Sequence, residues 1–393
     1  MKRILFLHQV SYIGGGSYCL LSLLKSIDRK AFEPVVLLGN DGPLRNEIER
    51  LGIEVYFMGG MPAIPYNKSL LAFGCVKSYA NVFKKQKTFF EILQKLKVDI
   101  VYLNNMMLYP YLKTAKKYGC KTVMHVREHW PKNEHQIQFS WAKNYVKRYV
   151  DRLIAINQFS ASMFSDCSKN TSIVYDWIDF SQRDEPVSFD DIFKCDSSNL
   201  KVMVFTGGVT RIKGTYEVVK AFQKIKGDNY RLLVLCHNEA YPFIGLVGKI
   251  KKLLMLTGWK PYAYKSLQEL QKDNRIVMIP PTYKIVNILK QAYCTLSFFN
   301  IPHANLALAE AVTLGTVAIA AKTEEAYEYA DGGKAAVLYN FEDQSDFDDK
   351  IHYVINNYDL VKQEVAKHSL KIKKLFDPAA NANVFNAVLK SLN

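Results

Sequence analysis

Short apolar runs alternate with longer amphipathic segments over the first 180 residues of the chain. The runs are rich in β-branched residues and predict strands, whereas apolar positions three and four residues apart predict helices. Strands are predicted at Ile4–Leu7, Pro34–Leu38, Val55–Met58, Ile100–Leu103, Thr122–Val126 and Leu153–Ile156. Helices are predicted at Tyr18–Ile27, Leu44–Leu51, Thr88–Leu96, Tyr109–Tyr118 and Gln136–Tyr149. This succession predicts a parallel sheet that is covered by helices on both faces.

The same alternation begins again near residue 200. Strands are predicted there at Val202–Thr206, Arg231–Leu235, Ile276–Ile279, Cys294–Phe298, Thr316–Ala320 and Ala336–Leu338. Helices are predicted at Thr215–Ile225, Leu267–Lys272, Ile285–Ala292 and Ala307–Thr313. The polar segment 181–199 has no sustained periodicity, so we predict a linker there.

The sequence therefore predicts an α/β protein with two doubly wound, Rossmann-like domains at residues 1–180 and 200–365. Residues 366–393 are expected to form a helical segment that packs back toward the N-terminal domain. In doubly wound sheets, ligands bind beyond the carboxyl ends of the strands, so the two domains are expected to face a ligand-binding cleft.

Composition narrows the class of protein. About half of the residues are hydrophobic (49%), which is enough for large cores. The seven cysteines are scattered and form no Cys-x-x-Cys pair, which favours reduced thiols in the cytoplasm over disulfides or a zinc site. No run of ~20 apolar residues predicts a membrane span. The apolar run Ile4–Leu7 is interrupted by His8 and is interpreted as the first strand, not as a signal peptide.

The net charge of +15 favours acidic partners: nucleotides, nucleic acid or an anionic membrane surface. Segment 68–97 carries seven lysines and one glutamate among aromatic residues, and segment 243–267 is similarly basic and apolar. Such helices can lie on an anionic bilayer. The alternative is that they are solvated helices whose apolar sides cover the sheet. Nucleic acid is disfavoured because no continuous basic track with stacking aromatics is present in the sequence.

Three turns between a strand and a helix carry residues that suit an anion. In the first, Gly14, Gly15 and Gly16 precede Ser17, which is expected to open a helix. Glycines allow backbone N–H groups to approach a ligand, and a helix start adds partial positive charge. A tight turn with Ser17 as the helix cap is the structural alternative. Because Cys19 occupies the third glycine position of a dinucleotide fingerprint, NAD binding is disfavoured.

The second turn, after the strand Val202–Thr206, contains Gly207, Gly208, Arg211 and Lys213. Lysine supplies a point charge to a phosphate and arginine can bind its oxygens bidentately. A solvated basic turn is the alternative.

The third turn follows Phe298–Asn300. It leads through His303 to a predicted helix start at Ala304, Asn305 and Leu306, whose free N–H groups could cradle an anion. Glu310 on that helix lies among small apolar residues and needs a partner, either ribose hydroxyls or a lysine.

A further polar cluster, His125, Arg127, Glu128 and His129, follows the predicted strand Thr122–Val126. Its place at the carboxyl end of a buried strand makes Arg127 and His129 candidate ligand-binding residues, and Arg127 could face an anion. In the structural alternative, Arg127 and Glu128 pair with each other.

In this order, these segments resemble the two-domain GT-B glycosyltransferases, most closely the group 1 (family 4) retaining sugar transferases. The family's glycine-lysine-glycine turn resembles GGVTRIKG, its acidic helix before a strand resembles LALAEAVTLGTVAIA, and its N-terminal glycine loop resembles IGGGSYCLLSLL. The resemblance covers Lys2 to about Glu342 and implies the GT-B architecture.

The resemblance implies sugar transfer from a nucleotide sugar to a saccharide acceptor in cell-surface polysaccharide synthesis. Arg211 and Lys213 would stabilise the departing diphosphate, His125 would contact the donor sugar, and Glu128 would orient the acceptor hydroxyl. Arg127 and His129 would be candidate acceptor-binding residues. The basic segments favour a lipid-linked acceptor at the inner face of the membrane. Because cations and N–H donors suffice at the phosphates, no divalent metal and no cofactor beyond the nucleotide sugar are expected.

The sequence departs from the family pattern at two positions. Gly208 stands where the family has an arginine, and Pro302 stands where the first of two glutamates is usual. Asn300 or His303 could contact the donor sugar instead. A nucleotide-sugar epimerase, or a catalytically weakened binding protein of the same fold, therefore remains an alternative function.

Overall fold

The computed structural model describes residues 1–66, 69, 71–130, 136–167, 171–177, 180, 185–236, 245–258, 260–280, 282, 284–300 and 305–392. The chain forms two compact units. The first contains Met1–Ile178 together with Phe376–Asn393, and the second contains Asp179–Leu375.

The first unit is an α/β unit. Its strands are β1 (Lys2–His8), β2 (Phe32–Leu38), β3 (Glu54–Phe57), β4 (Ile100–Leu103), β5 (Lys121–Val126), β6 (Arg152–Ala155) and β7 (Thr171–Ile173). Its helices up to β7 are α1 (Gly15–Ser26), α2 (Pro43–Glu49), α3 (Phe73–Leu96), α4 (Leu112–Tyr118), α5 (Gln136–Tyr149) and α6 (Gln158–Ser162), with a 3-10 helix at Met106–Tyr111.

The strands of the first unit pair in parallel in the order β3-β2-β1-β4-β5-β6-β7. Alternate residues of each strand point to opposite faces. Leu5 and Leu7 therefore join one core with α3 and α4, while Ile4 and Phe6 join another with α1 and α2. Both faces of the sheet are buried, which confirms the predicted doubly wound arrangement.

The second unit repeats this design. Its strands are β8 (Lys201–Phe205), β9 (Tyr230–Leu235), β10 (Ile276–Ile279), β11 (Cys294–Ser297), β12 (Ala318–Ala321) and β13 (Val337–Tyr339). Its helices are α7 (Phe189–Phe193), α8 (Thr215–Gln223), α9 (Gly245–Leu256), α10 (Tyr262–Leu270), α11 (Ile285–Gln291), α12 (Leu306–Leu314), α13 (Glu324–Tyr329), α14 (Gln344–Asn356) and α15 (Tyr358–Leu375). The strands pair in parallel in the order β10-β9-β8-β11-β12-β13.

Two segments outside the strand–helix alternation also contribute to the units. Residues 181–199, the predicted linker, contain α7, whose Phe189 belongs to the core of the second unit. After α15 the chain returns to the first unit as α16 (Pro378–Lys390). There Phe385 packs edge-on against the ring of Tyr102 with 5.9 Å between centroids.

Two of the differences from the predicted elements have a local reason in the sequence. α3 begins at Phe73 instead of Thr88, because its first half exposes apolar side chains and so lacks a one-sided pattern. β7 was not predicted, because the three-residue run Thr-Ser-Ile has no apolar periodicity. Within the described part of the chain, no helix is long and apolar enough to cross a bilayer.

Candidate functional site

The carboxyl ends of β1, β4 and β5 bring polar side chains together in the first unit. β1 ends at His8, β4 is followed by Asn104 and Asn105, and β5 is followed by Arg127 and Glu128. β1 and β4 are neighbours at which the strand order of the sheet reverses. Doubly wound sheets bind ligands at such a switch point. We call this cluster the β1–β4–β5 edge.

The predicted glycine turn leads from β1 into α1. The helix begins at Gly15, and its N-cap, Gly14, provides no side-chain cap. A Cβ on Gly16 would meet no atom within 4 Å. Ser17 does not cap the helix as the structural alternative required, because its hydroxyl donates to the carbonyl of Tyr12 at 2.8 Å. Among the described residues, no N-cap side chain therefore bonds to the first N–H groups of this 12-residue helix.

His8 is buried at the end of β1 as a neutral imidazole. Its Nε2 lies 3.3 Å from Ser17 Oγ, and its Nδ1 lies 3.0 Å from Asn104 Nδ2. Because the Ser17 hydroxyl already donates elsewhere, it accepts from His8 Nε2–H, and His8 Nδ1 accepts from the amide. Burial, followed by the charge of Arg127, lowers the pKa of His8 to about 3.

His125 is fully buried, and two donors hold its ring. The Tyr102 hydroxyl lies 2.7 Å from His125 Nδ1, and Arg127 Nη2 lies 3.2 Å from the same atom. A guanidinium only donates, so Nδ1 accepts and the proton lies on Nε2. Burial, followed by the charge of Arg127, lowers the pKa of His125 well below its ordinary value.

Arg127 pairs with Asp176 instead of Glu128. The ion pair joins Arg127 Nη1 to Asp176 Oδ1. Burial opposes the charged form of Arg127, but the adjacent carboxylate raises the pKa of this guanidinium above its ordinary value. The positive charge of Arg127, which could have faced a ligand anion, is therefore already balanced in part by Asp176.

Glu128 and His129 are buried beside the same edge. Glu128 Oε2 accepts the backbone N–H of Met106 at 3.0 Å and that of Arg127 at 3.2 Å. Burial raises the pKa of Glu128 to about 7 in spite of these donors. The ring of His129 stacks on Phe159 with 4.2 Å between centroids. Both side chains thus have structural contacts within the first unit.

Several buried polar atoms at the β1–β4–β5 edge lack a hydrogen-bond partner among the described residues. They are Asn104 Oδ1, Asn105 Oδ1, His125 Nε2 and Arg127 Nε. A buried polar atom without a partner costs about 1–3 kcal/mol. Two acceptors and two donors at this edge are therefore buried without a described partner.

In the second unit, the turn after β8 is built around close backbone contacts. A Cβ on Gly207 would lie 2.3 Å from the Phe205 ring, so this position requires glycine. Gly208 and Gly214 adopt the left-handed region, with φ of 66° and 64°. The Thr215 hydroxyl at the start of α8 donates to the Gly208 carbonyl at 2.6 Å and fixes the turn.

Lys213 is half-buried in this turn. Its Nζ lies 4.4 Å from the centroid of the Phe299 ring, and among the described residues no carboxylate pairs with it. Burial lowers the pKa of Lys213 to about 8. A cation with an aromatic face as its neighbour, and without a counter-ion among those residues, is suited to a ligand anion.

Arg211 lies in the same turn but is exposed. Its carbonyl accepts the side-chain amide of Asn300 at 2.7 Å, which ties the turn to the end of β11. No ion pair of its guanidinium is found within the described part of the chain. The amide of Asn300, one of two candidates for contacting the donor sugar, is therefore engaged with the backbone.

The start of α12 is capped by Asn305. Its side chain accepts the N–H of Leu308 at 3.1 Å and donates to Ser297 Oγ at 2.9 Å. Leu306 is the first residue of the helix, and Glu310 is buried along it. His303 and Ala304 lie outside the described residues. The predicted cradle is thus represented in the structure by Asn305 and Leu306.

The sequence interpretation missed several residues of these two clusters. Asn104, Tyr102 and His8 are polar or aromatic residues at the ends of buried strands, and that position is the signal that could have found them. The role of Asp176 depends on a contact with a residue 49 positions away and has no local signal. In the described residues, no group of three or more His, Cys, Asp or Glu side chains is placed to hold a metal ion.

Comparison with known proteins gives structural relatives. No protein-family model and no curated protein matches the chain. The structure of HepE from Anabaena, in complex with UDP-glucose, matches with a TM-score of 0.74 and 18% identity over 100% of both chains. A glycosyltransferase from Rickettsia africae matches with a TM-score of 0.69 and 16% identity over 99% of both chains. Sucrose-phosphate synthase from Thermosynechococcus elongatus matches with a TM-score of 0.70 and 13% identity over 100% of this chain and 99% of its own.

Each of these matches spans both units. The sequence identities are low, so the similarity concerns the fold alone. With two parallel, Rossmann-like α/β units, the chain has the fold of the GT-B glycosyltransferase structures.

Proposed function

We propose that the chain is a glycosyltransferase that moves a sugar from a nucleotide-sugar donor to a saccharide acceptor. The observation that carries this proposal is Lys213, a half-buried cation in a glycine turn without a carboxylate partner among the described residues. A diphosphate would supply the missing counter-ion. Arg211, exposed in the same turn, adds a second cation within reach of a phosphate group.

The reaction places specific demands on the site. The bond between the anomeric carbon and the diphosphate oxygen breaks, the acceptor oxygen bonds to that carbon, and nucleoside diphosphate and a proton are released. Negative charge accumulates on the leaving diphosphate, so fixed cations and N–H donors lower the barrier. The groups assigned to the leaving diphosphate are Lys213, Arg211, Gly208 and the starts of α1 (Gly14–Gly16) and α12.

The β1–β4–β5 edge is assigned to the sugars. His125 carries its proton on Nε2, because its Nδ1 accepts from Tyr102 and Arg127, and this buried donor is assigned to a hydroxyl of the donor sugar. Glu128, whose pKa of about 7 allows either protonation state near neutral pH, is assigned to the acceptor hydroxyl, with His129 beside it. Retention of anomeric configuration and independence from divalent metal follow from the resemblance to family 4 and belong to the same proposal.

The acceptor is proposed to be lipid-linked, and the enzyme to work in the cytoplasm at the inner face of the membrane. The net charge of +15 and the basic segment 68–97 support this part of the proposal. It connects the enzyme to the synthesis of cell-surface polysaccharide.

Incubation with a panel of nucleotide sugars tests the proposal. UDP-glucose comes first, because the matched HepE structure contains it. Donor-dependent thermal stabilisation, followed by release of nucleoside diphosphate with a saccharide acceptor, is expected. Proton NMR of the product determines its anomeric configuration. The rate of transfer with and without EDTA tests whether a divalent metal is needed.

Other outcomes of the panel identify the alternatives. Isomerised donor without transfer would identify an epimerase. Stabilisation without turnover would identify a binding protein. The replacement of the family's first glutamate by Pro302 would be the reason for that loss of turnover. No stabilisation by any nucleotide sugar would overturn the assignment of the Lys213 turn.

A further inference from the structure

Helix α3 has apolar side chains on two opposite faces. One face, with Cys75, Val82 and Phe89, is buried in the core of the first unit. The other is exposed to solvent: Phe73, Val76 and Phe83 lie at positions i, i+3 and i+10, which share one side of a helix. A surface helix normally presents polar residues on that side.

The exposure of these side chains is unusually complete. Phe73 and Phe83 are each 82% exposed, and Leu71, just before the helix, is 85% exposed. Phenylalanine and leucine side chains are among those most often buried. The alternative interpretation of segment 68–97, in which its apolar side chains cover the sheet, accounts for the buried face of α3 but not for these exposed residues.

Helix α5 extends the same apolar surface. Trp141 is 49% exposed, and its ring contacts the ring of Tyr79 on α3 with 6.0 Å between centroids. Ile137, one turn earlier on α5, is also exposed. Tyr79 lies between Val76 and Phe83 in the sequence of α3. We call this surface the α3–α5 face, made of Leu71, Phe73, Val76, Phe83, Ile137 and Trp141.

Lysines border the α3–α5 face. Lys77 and Lys84 are exposed beside Phe73 and Phe83, and neither forms an ion pair within the described residues. Lys87 follows one turn later, with a loose pair to Glu91 at 3.9 Å. Aromatic and aliphatic side chains in the centre with lysines at the edge are typical of helices that lie in the interface of an anionic bilayer.

We infer that the α3–α5 face docks the protein on an anionic bilayer surface, with Phe73, Phe83 and Trp141 inserted among the lipids. The lysines contact the lipid headgroups. This inference deepens the proposed function, and its link to a lipid-linked acceptor rests on that function. The α3–α5 face would hold the first unit at the membrane surface where such an acceptor lies.

Charge distinguishes this occupant from a second copy of the chain. A symmetric dimer through the α3–α5 face would place Lys77 and Lys84 near the same lysines of the other copy, in a chain whose net charge is already +15. An anionic lipid surface neutralises these charges. Each lysine near such a surface strengthens binding about fivefold.

Vesicle sedimentation of the full chain tests the inference without any nucleotide sugar. Wild-type protein is expected to sediment with phosphatidylcholine vesicles that contain about 30% phosphatidylglycerol. It should sediment little with phosphatidylcholine alone, and less at about 0.5 M salt. The double variant Phe73→Ser/Phe83→Ser should bind at least about tenfold more weakly, because it removes two inserted rings.

A matched control uses exposed leucines of the second unit. Leu360 and Leu370 on α15 are 55% and 67% exposed, and Leu360→Ser/Leu370→Ser should bind like wild type. A second variant, Lys77→Gln/Lys84→Gln, should bind about 30-fold more weakly, from the loss of two lysines. The fluorescence of Trp141, obtained by difference from Trp141→Phe, should shift to the blue on binding.

Defined results would overturn the inference. One is equal sedimentation of wild type and Phe73→Ser/Phe83→Ser. Another is a wild-type dimer in solution that the same double variant converts to a monomer, which would assign the face to a second copy. Donor-dependent thermal stabilisation, measured on the same variants, reports on the proposed function separately. A variant that is still stabilised by the donor but no longer sediments with vesicles would support the docking face independently of the proposed function.

Discussion

The hydroxyl of Tyr102 lies 2.7 Å from Nδ1 of His125, and this contact sets the chemistry of a histidine that is otherwise enclosed. Because Arg127 donates to the same nitrogen, His125 is held as the tautomer with its proton on Nε2. Tyr102 is on β4 and His125 on β5, so the pairing of two adjacent strands aligns the contact.

The variant Tyr102→Phe removes one of the two donors to His125 and keeps the ring that packs on Phe385. Loss of this buried hydrogen bond should destabilise the first unit by about 1 kcal/mol. In spectra of ¹⁵N-histidine-labelled protein, the Nδ1 signal of His125 should move toward that of an imidazole nitrogen without a hydrogen bond. Sugar transfer should fall several-fold more than stability explains.

Tyr111→Phe is the matched control for this experiment. Tyr111 is also fully buried in the first unit, and its hydroxyl donates to the carbonyl of Pro62 at 3.2 Å. It should cost a similar amount of stability and leave the His125 signals unchanged. Unchanged His125 signals in Tyr102→Phe would show that Tyr102 does not orient the ring.

Replacement of Lys213 should separate stability from donor binding. Burial lowers the pKa of Lys213 from 10.5 to about 8, so the charged form is disfavoured in the free protein. Between these two pH values the unfolded chain holds the extra proton, and stability therefore rises with pH across that window. Lys213→Met keeps the apolar stem without the charge, and should stabilise the free protein at pH 7 by about 1–3 kcal/mol, the lower figure allowing for the partial exposure of Lys213.

The same variant should lose donor affinity. A charge-assisted bond to phosphate contributes about 1.5–3 kcal/mol, so affinity should fall at least about tenfold. Wild-type affinity should weaken as the pH rises above about 8, because Lys213 then loses its proton. Lys201→Met is the control: Lys201 begins β8, at the opposite edge of the sheet, and also lies over tyrosine rings. Equal donor affinity of Lys213→Met and Lys201→Met would remove Lys213 from the phosphate site.

Alanine at Gly208 should affect the donor more than the fold. Its φ of 66° disfavours a side chain, at a cost of about 1 kcal/mol, but a Cβ there would meet no atom within 4 Å in the free protein. If a phosphate approaches this backbone, the methyl group should weaken donor binding about tenfold or more. Gly332→Ala, with a φ of 68° and equally open space, should show the stability cost alone.

Gly214→Ala provides the contrasting case. Its φ is also left-handed, but its Cβ would lie 2.4 Å from the Phe298 ring and 2.8 Å from the Phe298 carbonyl oxygen. Backbone strain and overpacking should together cost about 3 kcal/mol or more, visible by calorimetry as a lower unfolding temperature. Similar stability losses at Gly208 and Gly214 would show that the turn relaxes freely.

Most strands were accessible to sequence analysis because buried parallel strands are continuous apolar runs. β4, predicted at Ile100–Leu103, has those bounds in the structure, and so does α5 at Gln136–Tyr149. The first half of α3 was harder, because exposed Phe73 and Phe83 disturb the expected periodicity. α16 lies within the expected C-terminal helical segment 366–393, and its start has a local signal: Asp377 caps the helix and Pro378 opens it.

The candidate site was only partly accessible. Turn chemistry pointed to Gly208, Arg211 and Lys213, because glycines and cations between a strand and a helix have few structural uses. The partners of His125 and Arg127 were not accessible, since Tyr102 and Asp176 reach them only through strand pairing and the chain after β7. The local sequence suggested Glu128 as the ion-pair partner of Arg127, whereas in the folded chain that partner is Asp176.

The pH dependence of stability at Glu128 tests the electrostatics of the β1–β4–β5 edge. Burial raises the pKa of Glu128 from 4.5 to about 7, so between these values the folded protein holds a proton that the unfolded chain has lost. Each rise of one pH unit in this window therefore destabilises the folded state. Glu128→Gln keeps an oxygen for the N–H groups of Met106 and Arg127 but does not titrate.

The stability of Glu128→Gln relative to wild type should therefore grow by about 2–3 kcal/mol from pH 4.5 to 7.5. His8 and His125 act with the opposite sign, because their lowered pKa values make the folded protein less stable as the pH falls. They are present in both proteins and cancel in the difference. Urea unfolding followed by tryptophan fluorescence in a Trp259→Phe background measures the first unit, in which Trp130 and Trp177 are buried. A difference that is constant with pH would mean that the Glu128 carboxyl is hydrated, and would remove the reason to assign it a proton-dependent role toward an acceptor hydroxyl.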